Sequence, residues 1–254
     1  MFDTYHVCIA LAVVILGISK TGFGGGVGIL SIPLMAIVMP AEQMIAVLAV
    51  LLVVVDLFAN VHYLGQYDWP VLKWMLPGAV LGVLLGCLIL VMMRGSDPVA
   101  FGRKLSLIIG LLCLIFVAMQ CYRLLGNEIP TLPVNPGSSA TVGTVAGVVS
   151  TLSHSAGPIM TLYLLQERVE KRKLVGTMLL YTLLINSVKL IGYVSIATVS
   201  WATVRQSLWM IPFLPVGTLA GVWMNRRLPE KPFMVIMYVA AAVTAGQMIY
   251  KALA

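Results

Sequence analysis

Residues 70–93 read PVLKWMLPGAVLGVLLGCLILVMM, twenty-four positions with a single charge, Lys73. About 20 apolar residues suffice for a helix to cross the hydrocarbon of a bilayer, so this stretch is long enough to span. It is one of nine apolar runs, near 5–20, 27–40, 44–64, 70–93, 103–123, 138–165, 173–196, 201–225 and 232–253. In all 254 residues, 60% are hydrophobic and 10% charged, where a soluble domain carries about 25% charge. No soluble fold of this size has interior enough to hide so much apolar surface. The composition therefore excludes a soluble enzyme, a nucleic-acid binder and a disordered chain. It predicts an all-α polytopic membrane protein of about eight spans, its partner the lipid bilayer. The breaks between runs carry turn chemistry at Pro40, Gly65, Gly95–Pro98, Pro130–Gly137 and Pro229–Pro232. Met1–Val7 contain no Lys or Arg, so no cleavable signal peptide is expected.

The stretch at 70–93 also has a partner. Trp74-Met75-Leu76-Pro77 followed by Gly82 and Gly86 falls on Trp209-Met210-Ile211-Pro212 followed by Gly217 and Gly221, at an offset of 135. Earlier in the chain the offset is 130, placing Gly17 on Gly147, Thr21 on Thr151, Asp56 on Asn186 and Tyr63 on Tyr193. The chain reads as two homologous halves, 1–126 and 127–254. The glycines at i and i+4 in each half predict close helix packing.

Each half begins with a run too long for one crossing and short for two. Residues 5–40 and 135–170 would each extend about 54 Å as straight helix, against a hydrocarbon core of about 30 Å. Gly22, Gly24, Gly25, Gly26 and Gly28 interrupt the first, and Ser150–Ser155 with Gly157-Pro158 the second. Both are read as helices broken at membrane depth. The net charge is +7, and ten of the sixteen basic residues lie in or beside three loops: Arg94, Arg103 and Lys104; Arg168 and Lys171–Lys173; Arg226, Arg227 and Lys231. With one net crossing per broken unit, all three loops share one side. The positive-inside rule makes that side cytoplasmic. The two halves would then be parallel repeats.

Backbone broken in hydrocarbon must be covered or line a wet cavity, and each new helix N-terminus offers free N–H groups to an anion. The predicted substrate site combines Lys20, Thr21, Gly24, Gly25 and Gly26 with Ser153, His154, Ser155 and Gly157. The other reading of these small residues is tight packing alone. Asp56, Asn60 and Tyr63 lie on one helix face, as do Thr182, Asn186, Lys189 and Tyr193. Charges inside a bilayer are expensive and mark pathways. Asn186, Lys189 and Tyr193 are placed with the substrate, and Asp56 and Asn60 with the coupling ion. The rival readings are a structural ion pair of Asp56 with Lys189 or Lys20, and Lys189 reaching to the interface. His154 reads equally as proton relay and as structural hydrogen-bonding group. No catalytic residue, metal or cofactor is expected. Cys8, Cys87, Cys113 and Cys121 lie in apolar runs without a C-x-x-C pair and read as core hydrophobes. The absence of a G-x4-G-K-[ST] motif gives no support to direct ATP drive.

At these residues the sequence resembles the sulfite exporter TauE/SafE family of membrane permeases. The first signature is Lys20-Thr21-Gly22-Phe23-Gly24-Gly25-Gly26 leading to Pro33. The second is Gly157-Pro158 leading to Tyr163-Leu164-Leu165, then Lys173 to Thr177, then Asn186, Lys189 and Tyr193. The resemblance covers about residues 10–250. It implies a multi-pass transporter of the bacterial inner membrane for a small anionic substrate such as sulfite, a sulfonate or sulfoacetate, or a related carboxylate. It also implies two homologous halves. A passive anion channel and a non-transporting scaffold are the alternatives, and self-association is open.

Overall fold

The computed structural model describes residues 4–22, 35, 39–95, 97–127, 133, 135–164, 171–227 and 230–253. These are almost entirely helical, with no strand among them. The helices are α1 (Thr4–Gly22), α2 (Ala41–Asn60), α3 (Trp69–Arg94), α4 (Pro98–Leu124), α5 (Pro136–Ser153), α6 (Gly157–Leu164), α7 (Lys171–Ser195), α8 (Trp201–Leu208), α9 (Phe213–Arg227) and α10 (Glu230–Leu253). Among the described residues four helical stretches are long and apolar enough to cross a membrane: Ala41–Asn60, Trp69–Arg94, Pro98–Leu124 and Lys173–Ser195.

Helix starts are set by short polar side chains followed by proline. Asp68 accepts from the Val71 N–H to open α3, and Asp97 from Val99 to open α4. Asn135 and Ser138 form a reciprocal capping box at α5. Each satisfies donors the helix itself cannot, and each is followed directly or one residue later by a proline, whose missing N–H is harmless there. In α3 the interior Pro77 leaves the helix continuous. Its counterpart Pro212 falls between α8 and α9, where Met210, Phe213 and Leu214 bond three residues back and join the two helices through tightened turns.

Helix α3 shows what a membrane does to helix amphipathicity. Leu81, Leu84, Leu88 and Met92 are exposed on one side. Gly78, Gly82 and Gly86 face α5 on the other, so close that a Cβ on Gly82 would sit 2.1 Å from the Thr144 carbonyl oxygen and one on Gly78 2.0 Å from that of Ala140. Gly143 and Gly147 of α5 return the contact against Met75 and Ala79. A second such seam joins α1 to α9, where a Cβ on Gly217 would lie 2.2 Å from the Val14 carbonyl oxygen and one on Gly17 2.8 Å from the Thr218 nitrogen. Between apolar helices in lipid, this close approach replaces the missing hydrophobic drive. The remaining main pairings are α4 with α10 and α2 with α7.

Two sets of polar contacts fix the ends of the bundle. At one end Lys173 and Thr177, in the first turns of α7, meet Asp68 before α3. The starts of α3 and α5 lie together there, with Met75 beside Gly143. At the opposite end Arg94, closing α3, donates to the Ile196 carbonyl and the Thr198 hydroxyl beyond α7 and pairs with Glu42 of α2. Gln43 donates there to Gln206 of α8.

These contacts correct the expected topology. The second broken unit does not cross. The Tyr163 hydroxyl of α6 bonds Ser138 and Ser139 at the far start of α5, so α6 runs back beside α5 to the Asp68 end. The first unit starts at the end where α2 starts. Helix α1 is about 28 Å long, and its Lys20 reaches Asp56 near the far end of α2, which places Thr4 at the Arg94 end. The loop at Arg94 and the loop at Lys173 therefore lie at opposite ends, so the three basic loops do not share a side. Parallel halves, which required a net crossing in each broken unit, do not hold. Charge counting missed this because 36 residues fit a broken crossing and a short hairpin equally well.

Candidate functional site

Helices α1, α2, α5 and α7 bring the expected groups Lys20, Asp56, Asn60, Ser153, Asn186, Lys189 and Tyr193 into the apolar interior. The α2 and α7 stripes face each other. Asp56 is fully buried. One of its carboxylate oxygens accepts from Lys20 Nζ at 2.5 Å and the other from Asn186 Nδ2 at 2.6 Å. Asn60, one turn on, donates to the Asp56 and Leu179 carbonyls, tying α2 to α7 through the backbone. Of the two partners the sequence offered for an ion pair, Asp56 meets Lys20 and not Lys189.

One turn beyond Asn186, Lys189 makes different contacts. It too is fully buried. Its ammonium donates to the Ser150 hydroxyl at 3.1 Å and the Ser150 carbonyl at 3.3 Å, and its Nζ stands 2.7 Å from His154 Nδ1. It does not extend to an interface, and among the described residues no carboxylate pairs with it. His154 is the residue that breaks the helix. Its φ of 53° and ψ of 19° place it in the left-handed region, where its N–H caps Ser150 and the α5 ladder ends. A histidine there is uncommon but tolerated. Its Nε2 stands 2.9 Å from the Ile45 carbonyl oxygen of α2, and its ring meets Tyr193 edge to face at 6.2 Å. The Tyr193 hydroxyl donates to the Thr151 carbonyl. The break is thus pinned to α2 by His154 and to α7 by Lys189 and Tyr193.

Other expected donors are committed elsewhere. Ser153 bonds the Val149 carbonyl and Ser155 that of Ser153. Their hydroxyl protons serve the frayed end of α5, leaving only lone pairs to offer. Gly157 opens α6; Pro158 has no N–H and the Met160 N–H bonds the Ala156 carbonyl, so Gly157 and Ile159 supply the first-turn N–H groups without a partner within that helix. Gly24, Gly25, Gly26 and the side chain of Thr21 lie outside the described residues. Sequence reasoning placed Ser150 in the break but not among the site residues, and the Ile45 carbonyl carries no side-chain signal at all. Among the described residues no three His, Cys, Asp or Glu side chains gather in metal-binding geometry.

Among the described residues the cluster holds two buried lysines, Lys20 and Lys189, against one carboxylate, Asp56, in an apolar setting beside a broken helix. A buried polar centre of this kind at a helix break is the mark of a multi-pass membrane transporter. The chain matches the sulfite exporter TauE/SafE family over residues 9–248. It belongs to that family of membrane transporters for sulfite-type anions. Searches of curated proteins and of solved structures find no match.

Proposed function

We propose that the protein is a secondary transporter for a small sulfur-containing or organic anion such as sulfite, a sulfonate or sulfoacetate, seated in the bacterial inner membrane and driven by an ion gradient. The observation that carries the reading is Lys189, fully buried without a carboxylate partner among the described residues. An isolated buried cation is costly. An anion docked at the Ser150–Gly157 break supplies the missing charge and takes up free N–H groups at the start of α6. Lys20 holds Asp56 and is not a second counter-charge, which leaves room for one anionic charge.

The halves at 1–126 and 127–254 are proposed to be inverted repeats about an axis in the membrane plane. Two features support this. The α1–α9 seam joins Gly17 to Gly217, and the α3–α5 seam joins Gly147 to Gly82. These are the same two positions exchanged between halves, at the offsets of 130 and 135. The pairs α2 with α7 and α4 with α10 each join an element to its own counterpart. On this reading six units cross (α2, α3, α4, α7, α8–α9 and α10), and α1 and α5–α6 open re-entrant units from opposite faces. Rocking about such an axis exposes one central site to each side in turn.

The test is flux of radiolabelled sulfite into proteoliposomes. Accumulation against a sulfite gradient when an ion gradient is imposed supports the proposal. Flux that only dissipates the sulfite gradient favours a channel, and absence of flux for every anion tried favours a scaffold.

A further inference from the structure

Resting on the reading of Lys189 as the anion's counter-charge, we propose that His154 is the proton-coupling group, binding a proton together with the anion through the hydrogen bond it shares with Lys189. The argument begins with the Ile45 carbonyl. A carbonyl oxygen only accepts, so the 2.9 Å contact requires a hydrogen on His154 Nε2. The other ring nitrogen, Nδ1, faces Lys189 Nζ at 2.7 Å. That line has room for one proton, whether it sits on the lysine or on the imidazole. With Lys189 as the ammonium, the pair carries a single positive charge. In the form with Lys189 protonated, its three N–H groups match three acceptors: Nδ1, the Ser150 carbonyl and the Ser150 hydroxyl.

A second proton changes this. It makes both Nδ1 and Nζ donors, so two positive N–H groups would point at each other across 2.7 Å. That contact cannot persist, and the two groups must part. An anion placed between them accepts from both; a monoanion cancels one of the two charges and a dianion such as thiosulfate cancels both. Proton and anion are thereby bound together and released together, and the proton leaves Nδ1 when the anion goes. The ring sits at the one described break between α5 and α6, so its displacement acts on a joint in the helix.

The surrounding groups are consistent with this assignment. From α1 comes Lys20 and from α2 Asp56, which cancel one another. From α3 comes the Cys87 thiol, within electrostatic reach of Lys189. From α7 come Asn186, held by Asp56, and Tyr193, whose hydroxyl is held by Thr151. Asp56 is poorly placed for the same task, because protonating it strands the buried Lys20 ammonium.

The experiment counts protons. Methanesulfonate and thiosulfate are titrated into the purified full-length protein by calorimetry in buffers of different ionisation enthalpy; both are anions of strong acids, so neither probe changes charge near neutral pH. Wild type should take up about one proton per anion bound, and its affinity should fall with rising pH by up to about tenfold per unit. His154→Asn, chosen because asparagine tolerates the left-handed backbone, should bind without proton uptake and with an affinity that ignores pH. Proton uptake retained in His154→Asn, or its loss in Asp56→Asn alone, overturns the proposal. If the variants do not fold, wild type decides: anion binding with no proton uptake and no pH dependence overturns the proton assignment and leaves the anion seat standing. Failure of wild type to bind sulfite or either probe overturns the seat, and the coupling proposal with it.

Discussion

Replacing Asp56 by leucine removes the acceptor that Lys20 and Asn186 share. At 2.5 Å between Nζ and Oδ1, the attraction between full charges is about 7 kcal/mol at an effective dielectric near 20. Removing both ions from water costs several kcal/mol each, so the intact pair adds little net stability. Breaking it is another matter, since Lys20 is then left buried and unpaired: about 3–5 kcal/mol is expected for Asp56→Leu. Lys20→Met alone strands the carboxylate and should cost a similar amount. The double variant Lys20→Met/Asp56→Leu should be more stable than either single, with a residual loss of about 1–3 kcal/mol from the amide of Asn186, which keeps no acceptor. The assay is reversible unfolding in mixed micelles by detergent titration, followed by tryptophan fluorescence and run as a double-mutant cycle. A double variant less stable than Asp56→Leu, or an Asp56→Leu loss below about 1 kcal/mol, would refute the reasoning, because either result means the two charges are not buried on one another.

Two further outcomes are expected. Gly82→Ala places a methyl group 2.1 Å from the Thr144 carbonyl and should destabilise by about 1–3 kcal/mol; Gly102→Ala in α4, where a Cβ meets nothing within 4 Å, should be neutral or gain up to about 1 kcal/mol in the same unfolding assay. With the four native cysteines replaced by alanine, Val99→Cys and Lys173→Cys should react with a membrane-impermeant maleimide from opposite faces of the membrane; labelling from one face restores the single-crossing topology.

Much of this was legible because it depends on local chemistry. The membrane class follows from apolar run length. The break at Ser153–Gly157 follows from residues that compete with the helix ladder. The facing stripes of Asp56 and Asn186–Lys189 follow from helical spacing. Path direction was not legible. Arg94, Arg103 and Lys104 were read as an address label, yet Arg94 ties the end of α3 to the residues after α7 with two hydrogen bonds and to Glu42 of α2 with a salt bridge. Such a role depends on which helix end arrives beside it. The pairing within the site was hidden for the same reason. Lys20 and Lys189 look alike in sequence, and only packing shows that Asp56 neutralises the first and leaves the second with a histidine. The His154 environment depends on the Ile45 backbone, whose contribution is the same for every side chain at that position.

The central claim is that Lys189 supplies the charge an anion answers. The direct test is sulfite binding to purified wild type and Lys189→Met by calorimetry, with the unfolding midpoint confirming that the variant is folded. Loss of one charge-assisted hydrogen bond and its charge should weaken binding by roughly ten- to a hundredfold, with Lys189→Arg, which keeps the charge, intermediate. Unchanged sulfite affinity in a folded Lys189→Met protein would contradict the claim.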